Sequence, residues 1–301
     1  MQTLDSSNFT LSAALPISAY SLTPSQLHHQ MLLHRHTAHE LLRVRAGTLT
    51  LLLGGQQHLL KENDVFLIHP GAYHALHPTA DCTYECINFD ATLLLQPENS
   101  SHTYLSRLIN QTVLLNAQIN KAEAKTQALC QQLLDSVFVD NAVGYELEAQ
   151  GLVLQLLGRM IAQGEYVHCQ PASAHTQKTM AAIDRVLTCI RENYTQPLSL
   201  TDLSETAELS PNYFCRYFKR LAGCAPVDYL INYRILISED LLRTTQRPIA
   251  EIALACGFND ASHYIKFFRR KKGITPRQYR IQSMDEAQAP SRKRSRTTAQ
   301  H

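Results

Sequence analysis

LTDLSETAELSPNYFCRYFKRLAGCAPVDY (residues 200–229) and IAEIALACGFNDASHYIKFFRRKKGITPRQY (residues 249–279) are one pattern written twice. Phe218-Lys219, Gly223, Pro226 and Tyr229 recur 50 positions later as Phe268-Arg269, Gly273, Pro276 and Tyr279. Upstream the offset is 49, aligning Leu200, Leu203 and Leu209 with Ile249, Ile252 and Phe258. The second copy therefore holds one extra residue near Gly257-Phe258-Asn259. Two copies are too few for a solenoid, so the repeat is a duplicated small module.

Each copy predicts helix, turn, helix. Leu200, Leu203 and Ala207 make one apolar stripe at helical spacing, with Ser199 or Thr201 to cap it and Ser210-Pro211 to start the next helix. That second helix sets Phe214, Phe218 and Leu221 on one face and Asn212, Cys215, Arg216 and Lys219 on another. In the second copy Ile249, Ile252 and Ala253 form the stripe, Gly257 permits the turn and Asp260 caps. Tyr264, Phe267 and Phe268 then face inward, leaving Ser262, His263, Lys266 and Arg269 outside. A short helix crossing a longer one with a small, polar, basic outer face is a helix-turn-helix, whose second helix fits the major groove of DNA. Ser, Asn and His can reach base edges, and Arg and Lys guanine or phosphate. Pro226 to Arg243 reads as a joining helix of roughly 27 Å, set against about 34 Å for a turn of DNA.

These residues resemble the DNA-binding domain of AraC/XylS-type bacterial transcription regulators. The resemblance rests on Ile249-Ala250-Glu251-Ile252-Ala253, Gly257-Phe258, Phe268-Arg269, Gly273, Thr275-Pro276 and Tyr279-Arg280. It implies base contacts at Asn212, Cys215 and Arg216 and at Ala261, Ser262 and Lys266. With Tyr213, Lys219, His263 and Arg269, these positions make up the expected DNA surface. Cys215 and Ala261 are poor hydrogen-bonding partners, which throws sequence preference onto Asn212, Arg216, Ser262, His263 and Lys266.

Charge follows the same division. Up to Lys178 there are 9 Lys and Arg against 14 Asp and Glu; from Thr179 onward there are 19 against 12. The basic half carries the duplication, as a surface that neutralises phosphates requires. The 8 cysteines are scattered with no CxxC pair, the usage of a reduced cytosolic protein. No basic residue precedes Arg35 and Pro16 interrupts the run Leu11 to Leu15, so a secretory signal is not expected. No apolar run approaches the ~18 residues of a membrane span.

From Leu32 to Phe89 the pattern is of short strands, with Gly54-Gly55 as a hairpin turn and Pro70-Gly71 as a break. His34, His36 and Glu40 lie here, followed by Gly47 and, beyond Pro70-Gly71, His74. Histidines at i and i+2 share one side of a strand. The order resembles the cupin metal-binding motifs, departing from them at Asp64, which stands where a glycine is usual, and in a shorter Pro-to-His spacing. AraC-type sensors are cupin-like, which implies a pocket for an organic effector such as a sugar. We expect His34, His36, Glu40, Arg43, Tyr73, His74 and Tyr84 to line it. No cofactor, metal or catalytic residue is assigned; His34, His36, Glu40 and His74 are the residues that would hold an ion.

Leu105, Leu108, Ile109, Thr112 and Leu115 form a helical stripe, as do Ala128 to Val137 and Leu147 to Ile161. The expected fold is therefore α+β with two domains: a cupin-like β-barrel over 1–100 and a helical dimerisation and connector segment over 101–163. A linker over 164–178 leads to an all-α domain over 179–282, with helix-turn-helix motifs near 200–221 and 248–271. A basic disordered tail spans 283–301. The expected function is an effector-responsive, cytoplasmic, dimeric DNA-binding regulator, in the direction of activation. Its partners are double-stranded DNA and a small molecule, with RNA polymerase as a further one and no membrane. Two rival readings are a cupin metalloenzyme with accessory DNA binding and a constitutive architectural DNA-binding protein.

Overall fold

The computed structural model describes residues 17–23, 30–94, 102–119, 123–140, 143–169 and 173–288. The segment up to Pro16, the middle of the expected linker at 170–172 and the tail beyond Gln288 lie outside the described residues. The chain divides into two compact units: one reaching to Glu192 and taking in Leu198–Tyr229, the other made of Asn193–Pro197 and the chain from Leu230.

The first unit is built on eight antiparallel strands. β1 (Ile17–Leu22), β8 (Thr83–Phe89), β3 (His39–Ala46) and β6 (Val65–Ile68) form one sheet in that order. β2 (Met31–His34), β7 (His74–Pro78), β4 (Thr48–Leu53) and β5 (Gln56–Lys61) form the second. The cupin-like architecture is thus present as two facing sheets, and no ladder among the described residues joins them into a closed barrel. Gly54 and Gly55, at φ 57° and 88°, connect β4 to β5 with Leu53 opposite Gln56. That two-residue loop with positive φ at both positions matches the twist of the strands it joins. Tyr20, Leu22, Leu42, Val44, Leu49, Leu51, Leu60, Phe66, Leu76 and Tyr84 fill the space between the sheets.

The other face of the first sheet is covered as well. Leu41, Val65, Leu67, Ile87 and Phe89 pack against Leu105 and Leu108 of α1 (His102–Ile109), Leu133 and Leu134 of α2 (Ala124–Asp135), and Val153, Leu156, Leu157 and Met160 of α3 (Tyr145–Ala162). Covering on both sides explains why β3 reads as a dense apolar run: Leu41 and Leu42 point opposite ways and both are fully buried. Each contributes roughly 1.5–3 kcal/mol on that account.

The helical stripe expected to continue through Thr112 and Leu115 stops at Ile109. Gln111 adopts φ 52°, and Val113–Leu115 becomes β9, paired with β10 (Tyr166–His168) inside the expected linker. A left-handed residue cannot propagate a helix, and the β-branched Val113 suits the strand. α4 (Ala174–Asn193) starts four residues ahead of Lys178 and buries Ala182, Ile183, Val186, Leu187 and Ile190.

α5 (Leu200–Ala207) and α6 (Pro211–Ala222) complete the first unit, with α7 (Pro226–Thr244) as far as Tyr229. α5 begins with a reciprocal cap between Ser199 and Asp202. α6 packs against β2, β4 and β7. The second unit contains the rest of α7, α8 (Ile249–Ala255), α9 (Ala261–Lys272) and α10 (Pro276–Gln288). Its core is Ile235, Leu242, Ile252, Ala253, Cys256, Phe258, Tyr264 and Phe268.

Candidate functional sites

At the sensor, β2, the loop after it, β3 and β7 bring His34, His36, Glu40 and His74 together. One nitrogen or carboxylate oxygen from each lies within 4.8 Å of all the others. His34, His36 and His74 each direct Nδ1 at a backbone carbonyl, of Leu32, Ala38 and Ala72, at 2.9 Å in every case. A carbonyl only accepts, so the proton sits on Nδ1 and the Nε2 lone pair of a neutral ring is left facing the cluster. His36 Nε2 lies 3.0 Å and His74 Nε2 3.2 Å from Glu40 Oε2. His74 Nε2 is buried with no hydrogen-bond partner. On its other side Glu40 accepts a 2.6 Å hydrogen bond from Tyr20 Oη.

Electrostatics follow from this crowding. Burial, reinforced by His74, lowers His34 to about 3. Burial opposes charge on His36 and on Glu40. The attraction between them overrides it, raising His36 and, with His74's help, holding Glu40 well below the usual carboxylate range.

Two of the other expected pocket residues, Arg43 and Tyr73, sit elsewhere. Arg43 is three residues from Glu40 along β3 and so points to the helical side of the sheet. There it is buried against Glu85 Oε2 (2.5 Å) and Asp135 Oδ1 (2.9 Å). Tyr73, next to His74, turns away as well: its Oη lies 2.6 Å from Asp184 Oδ1 and 2.8 Å from the Met180 carbonyl oxygen on α4. Tyr84 faces the interior between the sheets, buried with Leu42 and Val44. Three residues not expected at the sensor belong to this region: Tyr20, Asp184, which also pairs with Arg35, and Tyr229, whose Oη donates to the Leu33 carbonyl at 3.0 Å. Tyr229 was visible only as a position of the repeat, and none of the three signals this role locally, because each acts on residues far away in the chain.

The two outer helices follow the expected division of faces. On α6, Phe214 and Phe218 are buried while Asn212, Arg216 and Lys219 are exposed; Tyr213 and Cys215 are partly so. On α9, Asp260 caps the start by accepting from the His263 amide at 2.8 Å. Tyr264 and Phe268 are buried, Ser262, His263, Lys266 and Arg269 exposed, and Ala261 partly so. A shallow depression on the surface of α9 is lined by Ser262, Ile265, Lys266, Arg269, Arg270 and Gly273. Both helices end at a left-handed glycine, Gly223 and Gly273, at φ 73° and 77°.

A small-ligand sensor of cupin-like sheets followed by a duplicated helix-turn-helix defines a class, the ligand-responsive DNA-binding regulators. The family model described as an AraC-like ligand binding domain matches residues 17–157, and that described as a helix-turn-helix domain matches 203–282. YdeC of Bacillus subtilis (strain 168), an uncharacterized HTH-type transcriptional regulator, is 25% identical over 274 residues, 88% of this chain and 92% of its own. The HTH-type transcriptional activator RhaS of Mannheimia succiniciproducens is 26% identical over 253 residues, 82% of this chain and 88% of its own. A crystal structure of a transcriptional regulator with an AraC-type DNA-binding domain, from Chromobacterium violaceum, is 30% identical, covering 37% of this chain and 96% of that one, with a TM-score of 0.33. The chain thus joins an AraC-like ligand binding domain to a helix-turn-helix domain, the two parts of an AraC-type regulator. No helix among its described residues is long and apolar enough to cross a membrane.

Proposed function

We propose that this regulator holds promoter DNA through Asn212, Tyr213, Cys215, Arg216 and Lys219 on α6 and Ser262, His263, Lys266 and Arg269 on α9. It works as a cytoplasmic homodimer and activates transcription by engaging RNA polymerase. No catalytic residue is assigned in this reading. The observation that carries it is the pair of basic helix faces left in solvent above buried aromatic faces, one in each compact unit. Activation is supported by the description of the relative RhaS as an activator. Effector control is supported by the residues gathered at the sensor, with a sugar or other carbon source as the ligand class implied by the family resemblance.

The test is to select genomic DNA fragments with the purified chain and then titrate the winning duplex with variants. If Arg216 or Lys266 reads a base, its change to Ala weakens specific binding by about 1–3 kcal/mol. If it meets only phosphate, binding weakens uniformly across sequences and the salt slope drops by about one. Unchanged affinity at both low and high salt would remove that side chain from the interface.

A further inference from the structure

Beside the His/Glu cluster, the interior between the sheets is lined mainly by Leu, Val, Phe and Ile, with Tyr20, Tyr84, Cys82 and Cys86 among them. The cluster itself has an unusual balance. One nitrogen from each of three histidines and one carboxylate oxygen converge, and among the described residues the one hydroxyl seen on the carboxylate, that of Tyr20, approaches from the other oxygen. Lone pairs this close repel unless something positive stands among them. A proton on His36 satisfies one pair and leaves His34 and His74 facing the same point. A buried carboxylate also needs a compensating charge, and apart from the neighbouring histidines no Lys or Arg is paired with Glu40 among the described residues.

A small cation meets every one of these needs. Donors about 2.1 Å from a tetrahedral ion stand roughly 3.4 Å apart. The two separations seen at Glu40 Oε2, 3.0 and 3.2 Å, are close to that spacing. Each ring is already aimed by a hydrogen bond from Nδ1–H to a carbonyl, the outer arrangement that orients metal-binding histidines. Three imidazoles with one carboxylate and no thiolate suit divalent first-row transition metals rather than magnesium or calcium. His34 and His36 are partly exposed, which gives the ion an entrance.

The residues between these ligands face the other way and hold helices. Leu33 receives the Tyr229 hydroxyl, Arg35 pairs with Asp184, and Tyr73 reaches Asp184 and Met180. Along 33–36 and 73–74, inward ligands thus alternate with outward contacts to α4 and the start of α7. We propose that His34, His36, Glu40 and His74 bind a divalent first-row transition-metal ion, and that the alternating residues Leu33, Arg35 and Tyr73 pass its occupancy to the α4–α6 segment. The site itself stands on geometry alone; its regulatory consequence rests on the DNA-binding reading above and names the ligand class that would replace a sugar.

The test uses the full chain, stripped with a chelator and titrated with Co2+, whose ligand-field absorption reports nitrogen and oxygen coordination, with Zn2+ as competitor. One Co2+ per chain is expected, displaced by Zn2+, and weakened roughly tenfold or more in His74→Ala and in the more exposed His36→Gln. Circular dichroism checks each variant's fold, and His36→Gln keeps the test decisive if the buried His74 cannot be replaced. Failure of the wild-type chain to take up Co2+, or uptake that a folded His36→Gln chain retains in full, overturns the site. Hydrogen exchange with and without Zn2+ then reads the coupling. Altered protection in α4 to α6 supports it, and changes confined to the ligand loops overturn it. Binding of genome-selected DNA by the same preparation separates the two readings: DNA bound without Co2+ uptake sinks only the metal site, and Co2+ uptake without DNA binding sinks only the regulator.

Discussion

Gly257 is the residue the second helix pair can least afford to change. Its φ is 83°, and a Cβ there would stand 2.6 Å from the Tyr194 carbonyl oxygen and 2.8 Å from Thr195 Cα. Backbone cannot move aside as a side chain can, so Gly257→Ala is expected to destabilise the second unit by roughly 1–3 kcal/mol. Urea unfolding checks this, with hydrogen exchange in α8 and α9 to localise it; an unchanged midpoint would remove the constraint. His69 offers a test in pH. Burial lowers it, partly opposed by its 2.8 Å bond to the Leu115 carbonyl, and its Nδ1 is buried without a partner; the group facing it is His39, 5.9 Å away ring to ring. The unfolded imidazole takes up a proton below about 6.5 while the folded one resists. Stability from His69 is therefore present above that value and lost as pH falls through it. His69→Gln should flatten the fall in urea midpoint between about pH 7.5 and 5.5; an identical fall in the variant would assign it to other groups. At this scale the order of His34, His36, Glu40 and His74 in the sequence anticipated that they would meet, although His36 lies in the loop after β2 and not on the strand face expected of it. A period-two rule along β3, applied to the odd step from Glu40 to Arg43, separates Arg43 from the cluster. Tyr20 and Asp184 were invisible, since only the tertiary fold carries them to Glu40, Arg35 and Tyr73.

Among elements, the apolar join between the first sheet and its helical cover is crossed by one largely buried charge group. Arg43 from β3 meets Glu85 from β8 and Asp135 at the end of α2, with Arg43 and Glu85 side chains 5% and 10% exposed. Taking away Glu85 leaves a desolvated guanidinium with Asp135 as its remaining close partner. Glu85→Ala is expected to cost about 3 kcal/mol, the low end for a broken buried pair because Asp135 stays. A double change, Arg43→Met with Glu85→Leu, should recover most of that loss in the same denaturant measurement. Failure of the double variant to improve on the single one would show that the pair matters for packing rather than for charge. Helix faces were the most legible elements, because Phe214, Phe218, Tyr264 and Phe268 fall at a spacing only burial explains. β9 and β10 were the least. Three-residue strands are too short to show a period, and the apolar stripe through Leu105 and Leu108 ran straight into Leu115 without announcing the left-handed Gln111 that ends the helix.

For the whole molecule, the duplication and the charge division pointed to paired DNA-facing helices, the family resemblance added a sensor before them, and the two matched family models agree with that order. What composition could not show is which helices share a compact unit. A linker is recognised by its Pro, Ser and Gln, whereas the packing of α6 against β2, β4 and β7 is decided by surfaces that meet only after folding. Consequently α6 and α9 belong to different units, and that has an energetic consequence. If each reads its own stretch of DNA, Arg216 and Lys266 have no shared partner, and their losses should add to within about 0.5 kcal/mol in a double variant bound to the selected duplex. Each single variant should also lose discrimination at different base positions, since a base contact specifies only the pair it touches. Equilibrium binding to duplexes altered one base pair at a time checks both statements. A double variant no worse than either single one would mean that losing one reader already releases the other, so that the duplicated modules bind as a single cooperative surface. Relaxed preference at the same base pairs in both variants would mean instead that only one of the repeats reads sequence, leaving the other to hold the phosphate backbone and fix the protein's position on the DNA.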